Sequence, residues 1–356
     1  KSQKWKSMYA NLTTTEQLNP SHYDAIVKLG QLYLLSGDFD TARKKAKTVL
    51  DIDGNHIGAL TLRASIEMKQ QNYGSALEDV KQVLQLDDKN IEALSVKAMS
   101  YNQQGEHQQA LKVLDHALTI EPDNLALTMI KLSILESQKD FVAVEKIYRG
   151  LRLTKPDERW VVASLAKLLN FQNRYDDAKQ ELQQFIDAQP EDRDAKLMLV
   201  SLVRTREPEQ AITLLDSYIQ QDKSDFELQF AKIKLQLDNE QTDQALVGLQ
   251  AIVDNDSEGN NGRKAEMILA NYEFSLGEYD AVQKKLDHVL SSEPEDEAAL
   301  ILKSKINILN NNIDKAVTDL RVVLRNNLES DDAMVLLGSA YIKSGSPGLA
   351  EDNFRQ

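Results

Sequence analysis

His116 and His288 stand in near-identical strings, LDHAL and LDHVL, and an imidazole beside a carboxylate is a common general base or metal ligand. Such a base needs a nucleophile or a further ligand next to it. The chain has no cysteine, which excludes disulfides, zinc–thiolate sites and thiol catalysis together. No HExxH, GxSxG, P-loop or GxGxxG run occurs, and those motifs are specific enough for their absence to argue against hydrolase, nucleotide and dinucleotide chemistry. The acidic clusters Asp87–Asp88, Glu295–Asp296–Glu297 and Asp331–Asp332 lack the alternating ligands, central glycine and closing glutamate of a calcium loop. At a helix start such carboxylates answer the helix dipole instead. We therefore expect no catalytic residue, no metal and no cofactor.

The chemistry left is recognition. Trp160, Phe171, Leu197, Phe230, Leu237, Met267, Phe274, Ile301 and Ile308 are interleaved with Lys167, Arg204, Lys234 and Lys305. Large apolar side chains beside cations suit a partner segment carrying apolar and acidic residues. They stand out in a chain of 356 residues with 42 Lys plus Arg against 56 Asp plus Glu, a formal net charge of -14. The candidate groove is Trp160, Lys167, Phe171, Arg204, Phe230, Lys234, Met267, Phe274, Lys305 and Ile308; Leu197, Leu237 and Ile301 read equally well as core between helices. The acidic balance disfavours nucleic acid and anionic membranes, and no apolar run approaches the roughly 20 residues that span a bilayer.

These residues are positioned by a period. Ala42, Ala76, Ala110, Val144 and Ala178 fall at one slot, followed by Ala211, Ala245, Val282, Ala316 and Ala350. Pro20, Pro122, Pro156, Pro190 and Pro294 keep a fixed register after the slot, where a residue without an N–H ends a helix. Gly37, Gly105, Gly277 and Gly345 keep a fixed register before it, where a left-handed residue turns one helix into the next. Apolar residues at three-and-four spacing, such as Ile26, Leu29 and Tyr33, then Ala42, Ala46 and Val49, make both helices amphipathic. Small residues in the first helix (Gly30, Ala64, Ala98, Ala166, Ala270, Gly338) face bulk at the start of the second (Phe39, Tyr73, Phe141, Tyr175, Tyr279).

A helix–turn–helix unit of about 34 residues with small, aromatic, alanine and proline slots resembles the tetratricopeptide repeat family. The resemblance covers almost the whole chain. It implies an all-α, right-handed α-solenoid whose first helices line a concave face where partner peptides lie. We expect the second helix of a preceding partial repeat over 1–22, five regular repeats over 23–192, two over 193–262 with a one-residue deletion (VRTREPEQA) and a loop insertion (DNDSEGNNGR), two over 263–330, and a truncated repeat over 331–356. The family's two-carboxylate clamp is not implied, because Val27, Gln31, Leu62, Glu92 and Val96 hold its places in the first three repeats.

The strings NYEFSLGEYDAVQKKLDHVL and EAALILKSKINILNNNIDKAVTDLRVVLRNNLESDDAMVLLGSAY are similar to bacterial envelope proteins, including lipoproteins associated with PEP-CTERM and exosortase systems. That resemblance implies a periplasmic, lipid-anchored scaffold in polysaccharide export or protein sorting. The alternatives are a cytoplasmic protein, a recruiting segment of a larger enzyme, and a self-assembling protein whose terminal repeats join copies into a homo-oligomer.

Overall fold

A computed structural model describes residues 2–355, with side chains over 5–353; Lys1 and Gln356, which close the first and last expected segments, lie outside the described residues. The chain divides into two compact units. The first, Lys1–Asn173, holds α1 (Ser2–Leu18), α2 (Tyr23–Leu35), α3 (Phe39–Leu50), α4 (Ile57–Lys69), α5 (Tyr73–Leu86), α6 (Ile91–Gln103), α7 (His107–Ile120), α8 (Leu125–Ser137), α9 (Phe141–Thr154) and α10 (Arg159–Phe171). The second, Arg174–Gln356, holds α11 (Tyr175–Ala188), α12 (Arg193–Val203), α13 (Pro208–Gln221), α14 (Phe226–Asp238), α15 (Thr242–Asn255), α16 (Asn260–Leu276), α17 (Tyr279–Ser292), α18 (Glu297–Leu309), α19 (Ile313–Asn326), α20 (Asp331–Lys343) and α21 (Pro347–Arg355). The division falls inside a repeat, after its first helix. Each unit is an α-solenoid in which even-numbered helices pack on their neighbours in sequence, and α2, α4, α6 and α8, like α16, α18 and α20, also touch in series.

The repeat slots explain these elements. Every member of the alanine slot, from Ala42 to Ala350, is buried, because only a small side chain lets paired helices approach closely. The residue before each first helix is its cap. His22, His56, Asn90, Asn124, Asp192, Asp225 and Asp296 each accept a hydrogen bond from a first-turn backbone N–H, satisfying a donor that the helix leaves open.

The turns inside the repeats need one left-handed residue. Gly37, Gly105, Gly277 and Gly345 supply it in four of them, and Gln71, Lys139, Asn173, Glu240 and Asn311 adopt the same conformation in five others. A side chain there costs about 1 kcal/mol relative to glycine. Lys139→Gly and Glu240→Gly are therefore expected to stabilise the chain by about 1 kcal/mol each, read as a higher midpoint in urea unfolding.

The turn between α12 and α13 has no left-handed residue. The missing residue shortens it, and Pro208 opens α13 directly with its preset φ. The Arg206 guanidinium lies 4.6 Å from the Tyr175 ring centroid, and the Tyr175 hydroxyl donates to Glu207 at 2.8 Å. Burial, then that hydrogen bond, pushes the Tyr175 pKa up to about 12. The deletion is thus filled by side chains from the turn itself.

The insertion differs from expectation. Instead of a loop ending at Arg263, α16 begins at Asn260 and runs for 17 residues. Asp256 accepts from the backbone N–H of Asn261 at 2.9 Å and of Gly262 at 3.1 Å, folding the extra residues into the first turn of the helix.

Candidate partner-binding grooves

In the first unit, α9 and α10 carry the aromatic part of the expected stripe. Phe171, 69% exposed, meets Phe141 edge-on with ring centroids 5.3 Å apart. Trp160 is half-buried and Lys167 exposed. Lys167, Phe141, Phe171, Leu168, Tyr148, Ser164 and Glu136 line a groove of about 390 Å³. Its polar end is set by the Tyr148 hydroxyl, which donates to Glu136 at 3.3 Å; burial holds the Tyr148 pKa above the usual phenol range. Leu125 and Met129 of α8 are also exposed. Sequence reasoning missed them because α8 (LALTMIKLSILES) is apolar on all sides, so periodicity assigns it no outer face.

In the second unit, the first helices α16, α18 and α20 enclose a groove of about 700 Å³. Met267, Ile268 and Ile301 form its floor, Lys264, Asn271 and Lys305 one part of its rim, and Asp296, Glu297 and Asp332 another. Among the expected residues, Met267 and Lys305 meet here. Met267 is not the exposed anchor expected: it is 3% exposed and packs with Ala270, Leu286 and Ala299. It faces the neighbouring repeat, so only its edge reaches the groove. Ile301 is likewise core, whereas Leu237 is exposed and Leu197 half-buried. The exposed apolar member is Ile268, one position beyond Met267.

The remaining expected residues are dispersed. Phe230 packs on the core beside Ile233, and the Lys264 ammonium lies 4.6 Å from its ring centroid, which joins it to the groove through a cation–π contact. Phe274 stacks edge-on against Tyr279 at 5.7 Å, a contact across a turn. Ile308 is half-buried and its carbonyl accepts from Lys343 at 2.5 Å. Arg204 follows the end of α12 in the shortened turn, and Lys234 is exposed on α14.

The groove also corrects the electrostatic expectation. Lys264 and Lys305 form no ion pair among the described residues, but three carboxylates share the rim with them. Those acids looked from the sequence like dipole partners only. Asp296 does cap α18 through the Ala299 N–H at 2.9 Å, and Glu297 accepts from the Ser330 hydroxyl at 2.6 Å, yet both still line the groove.

Four of the five histidines have structural partners. His22 and His56 are caps, and His107 bonds Asn102. His288 Nδ1 meets Glu266 at 2.7 Å. That hydrogen bond, then the Glu266 charge, raises the His288 pKa above its ordinary value. A raised folded value means the stabilisation is complete below the unfolded pKa and lost as pH climbs through the folded one. The stability advantage of wild type over His288→Gln is therefore expected to shrink as pH rises above the unfolded imidazole value of about 6.5 and through the raised folded one, measured by parallel urea titrations. No cluster of metal-ligating side chains occurs among the described residues.

Two stretches, residues 67–132 and 164–226, match family models described as tetratricopeptide repeat. No curated protein matches the sequence. Among solved structures, a Naa15/Naa10 assembly bound to HypK-THB is similar at 11% identity, covering 94% of this chain and 68% of that one with a TM-score of 0.43. Pseudomonas aeruginosa pilF is similar at 18% identity over 60% of this chain and 97% of its own, TM-score 0.42. TTC0263, a thermophilic TPR protein of Thermus thermophilus, is similar at 21% identity over 51% of this chain and 98% of its own, TM-score 0.36. The two stretches at 67–132 and 164–226 belong to the tetratricopeptide repeat family, and the buried alanine slot with its helix–turn–helix period repeats along both units.

Proposed function

We propose that this protein is a non-catalytic interaction scaffold that holds a partner segment on the first helices of its second unit. The observation that carries the reading is the groove of about 700 Å³ between α16, α18 and α20, with an apolar floor and two lysines that lack ion pairs among the described residues. A space of that size suits side chains of a peptide, and the Lys305 ammonium, which forms no ion pair among the described residues, is available for a carboxylate of the partner. The Phe141–Phe171 pair with Lys167 supports a second contact of the same chemistry on the first unit. The similarity of the C-terminal repeats to envelope proteins supports a role in a bacterial envelope assembly for polysaccharide export or protein sorting. No helix among the described residues is long and apolar enough to cross a membrane.

The test is a pull-down from envelope extract with wild type beside the triple variant Lys264→Glu, Ile268→Glu, Lys305→Glu, both checked by circular dichroism. Proteins retained by wild type and lost from the folded variant are expected. An identical set on both would refute the reading.

A further inference from the structure

The α18 wall of the groove on the second unit is electrically ordered along its length, and that order specifies a partner. On α18, Glu297, Ile301 and Lys305 follow one another at four-residue spacing and so stand in a line, about 6 Å apart along the helix. The level of Glu297 is reinforced by Asp332 of α20, and the level of Ile301 by Ile268 across the groove on α16. Lys305 has no carboxylate beside it on the groove wall.

Asn271 of α16 lines the same groove as Lys305. Its amide nitrogen donates to the Met267 carbonyl at 2.8 Å, which leaves its oxygen as an acceptor for a backbone N–H. Going from helix start to helix end, the α18 wall therefore reads acidic, apolar, basic, while at the helix-start end of α16 the Lys264 ammonium lies over the Phe230 ring, 4.6 Å from its centroid.

An extended chain places alternate side chains on one face roughly 6.6 Å apart. That repeat matches the helix levels to within about 1 Å. We infer that the groove takes an extended peptide segment of a partner protein, lying along α18, with a basic residue at i, an aliphatic residue at i+2 and an acidic residue at i+4. The cation meets Glu297 and Asp332, the aliphatic side chain covers Ile301 and Ile268, and the carboxylate meets Lys305. This rests on the groove being the binding site. It adds the order and spacing of charges, and it amends an apolar and acidic partner to one that is dipolar.

The test uses labelled peptides with a central Lys-Ala-Leu-Ala-Glu core and fluorescence anisotropy on the full chain. The controls are Lys-Ala-Glu-Ala-Leu, which has the same composition in the wrong order, and Gln-Ala-Leu-Ala-Gln. The first core is expected to bind about tenfold more tightly than either control. Lys305→Glu is expected to lose that advantage, and a Lys-Ala-Leu-Ala-Lys core to recover it on the variant.

Equal binding of all cores, or no binding of the ordered core, would overturn the inference. Neither result touches the groove reading, which fails if the triple variant retains every partner of the wild type.

Discussion

Arg63→Ala is expected to cost about 3 kcal/mol. The Arg63 guanidinium grips Asp79 with two hydrogen bonds, Nε at 2.8 Å and a terminal nitrogen at 2.6 Å. Asp79 is 6% exposed. It lies on the second helix of the repeat and Arg63 on the first, so the pair clamps α4 to α5. The Asp79 carboxylate holds the Arg63 pKa above its ordinary value, through the hydrogen bond first. Removing the arginine leaves a carboxylate buried without a counter-charge, which is the costly half of a buried pair. Removing both partners should therefore restore much of the loss. Hydrogen exchange of α4 and α5 amides in the two single variants and the double variant gives the coupling energy directly.

Gly262→Ala is expected to be comparably severe, at about 3 kcal/mol. A Cβ on Gly262 would stand 1.9 Å from the Asp256 carbonyl oxygen and 2.6 Å from its carbon. Both are backbone atoms and cannot rotate away. Relief requires the segment that donates to Asp256 to open, which exposes the first turn of α16 and with it one wall of the groove. Gly150 in α9 is the control, because nothing lies within 4 Å of a Cβ there. Gly150→Ala should stabilise by up to about 1 kcal/mol through helix propensity alone. Urea unfolding followed by circular dichroism separates the two outcomes, and a loss from Gly262→Ala no greater than about 0.5 kcal/mol would contradict the packing argument.

Much of the fold was legible because each slot in the repeat answers one physical demand. Alanine at Ala42 or Ala178 admits a helix, proline at Pro122 or Pro190 ends one, and Asn90 or Asp192 caps the next. Side-chain direction within a half-turn was not legible. Met267 and Ile268 are adjacent and equally apolar, and only the packing against Ala270 and Ala299 decides that the first turns inward and the second outward. The insertion was misread for a related reason: asparagine and glycine signal a loop, but Asp256 supplies the hydrogen bonds that let Asn260 to Gly262 begin a helix. The carboxylates of the groove were hidden by serving two purposes, since Asp296 is both cap and rim.

In the proposed function the partner sits on the first-helix face of the second unit. The most direct test of that placement is a photo-crosslinking residue placed at Ile268, on the groove, or at Val247, on α15. Both are surface positions in the same unit, and Val247 is the more exposed, at 71% against 36% for Ile268, so exposure alone favours the control position. Irradiation in the native cell, followed by mass spectrometry, should yield a partner adduct at Ile268 and none at Val247. Adducts of the same protein at Val247 and none at Ile268 would place recognition on the second helices and contradict the account.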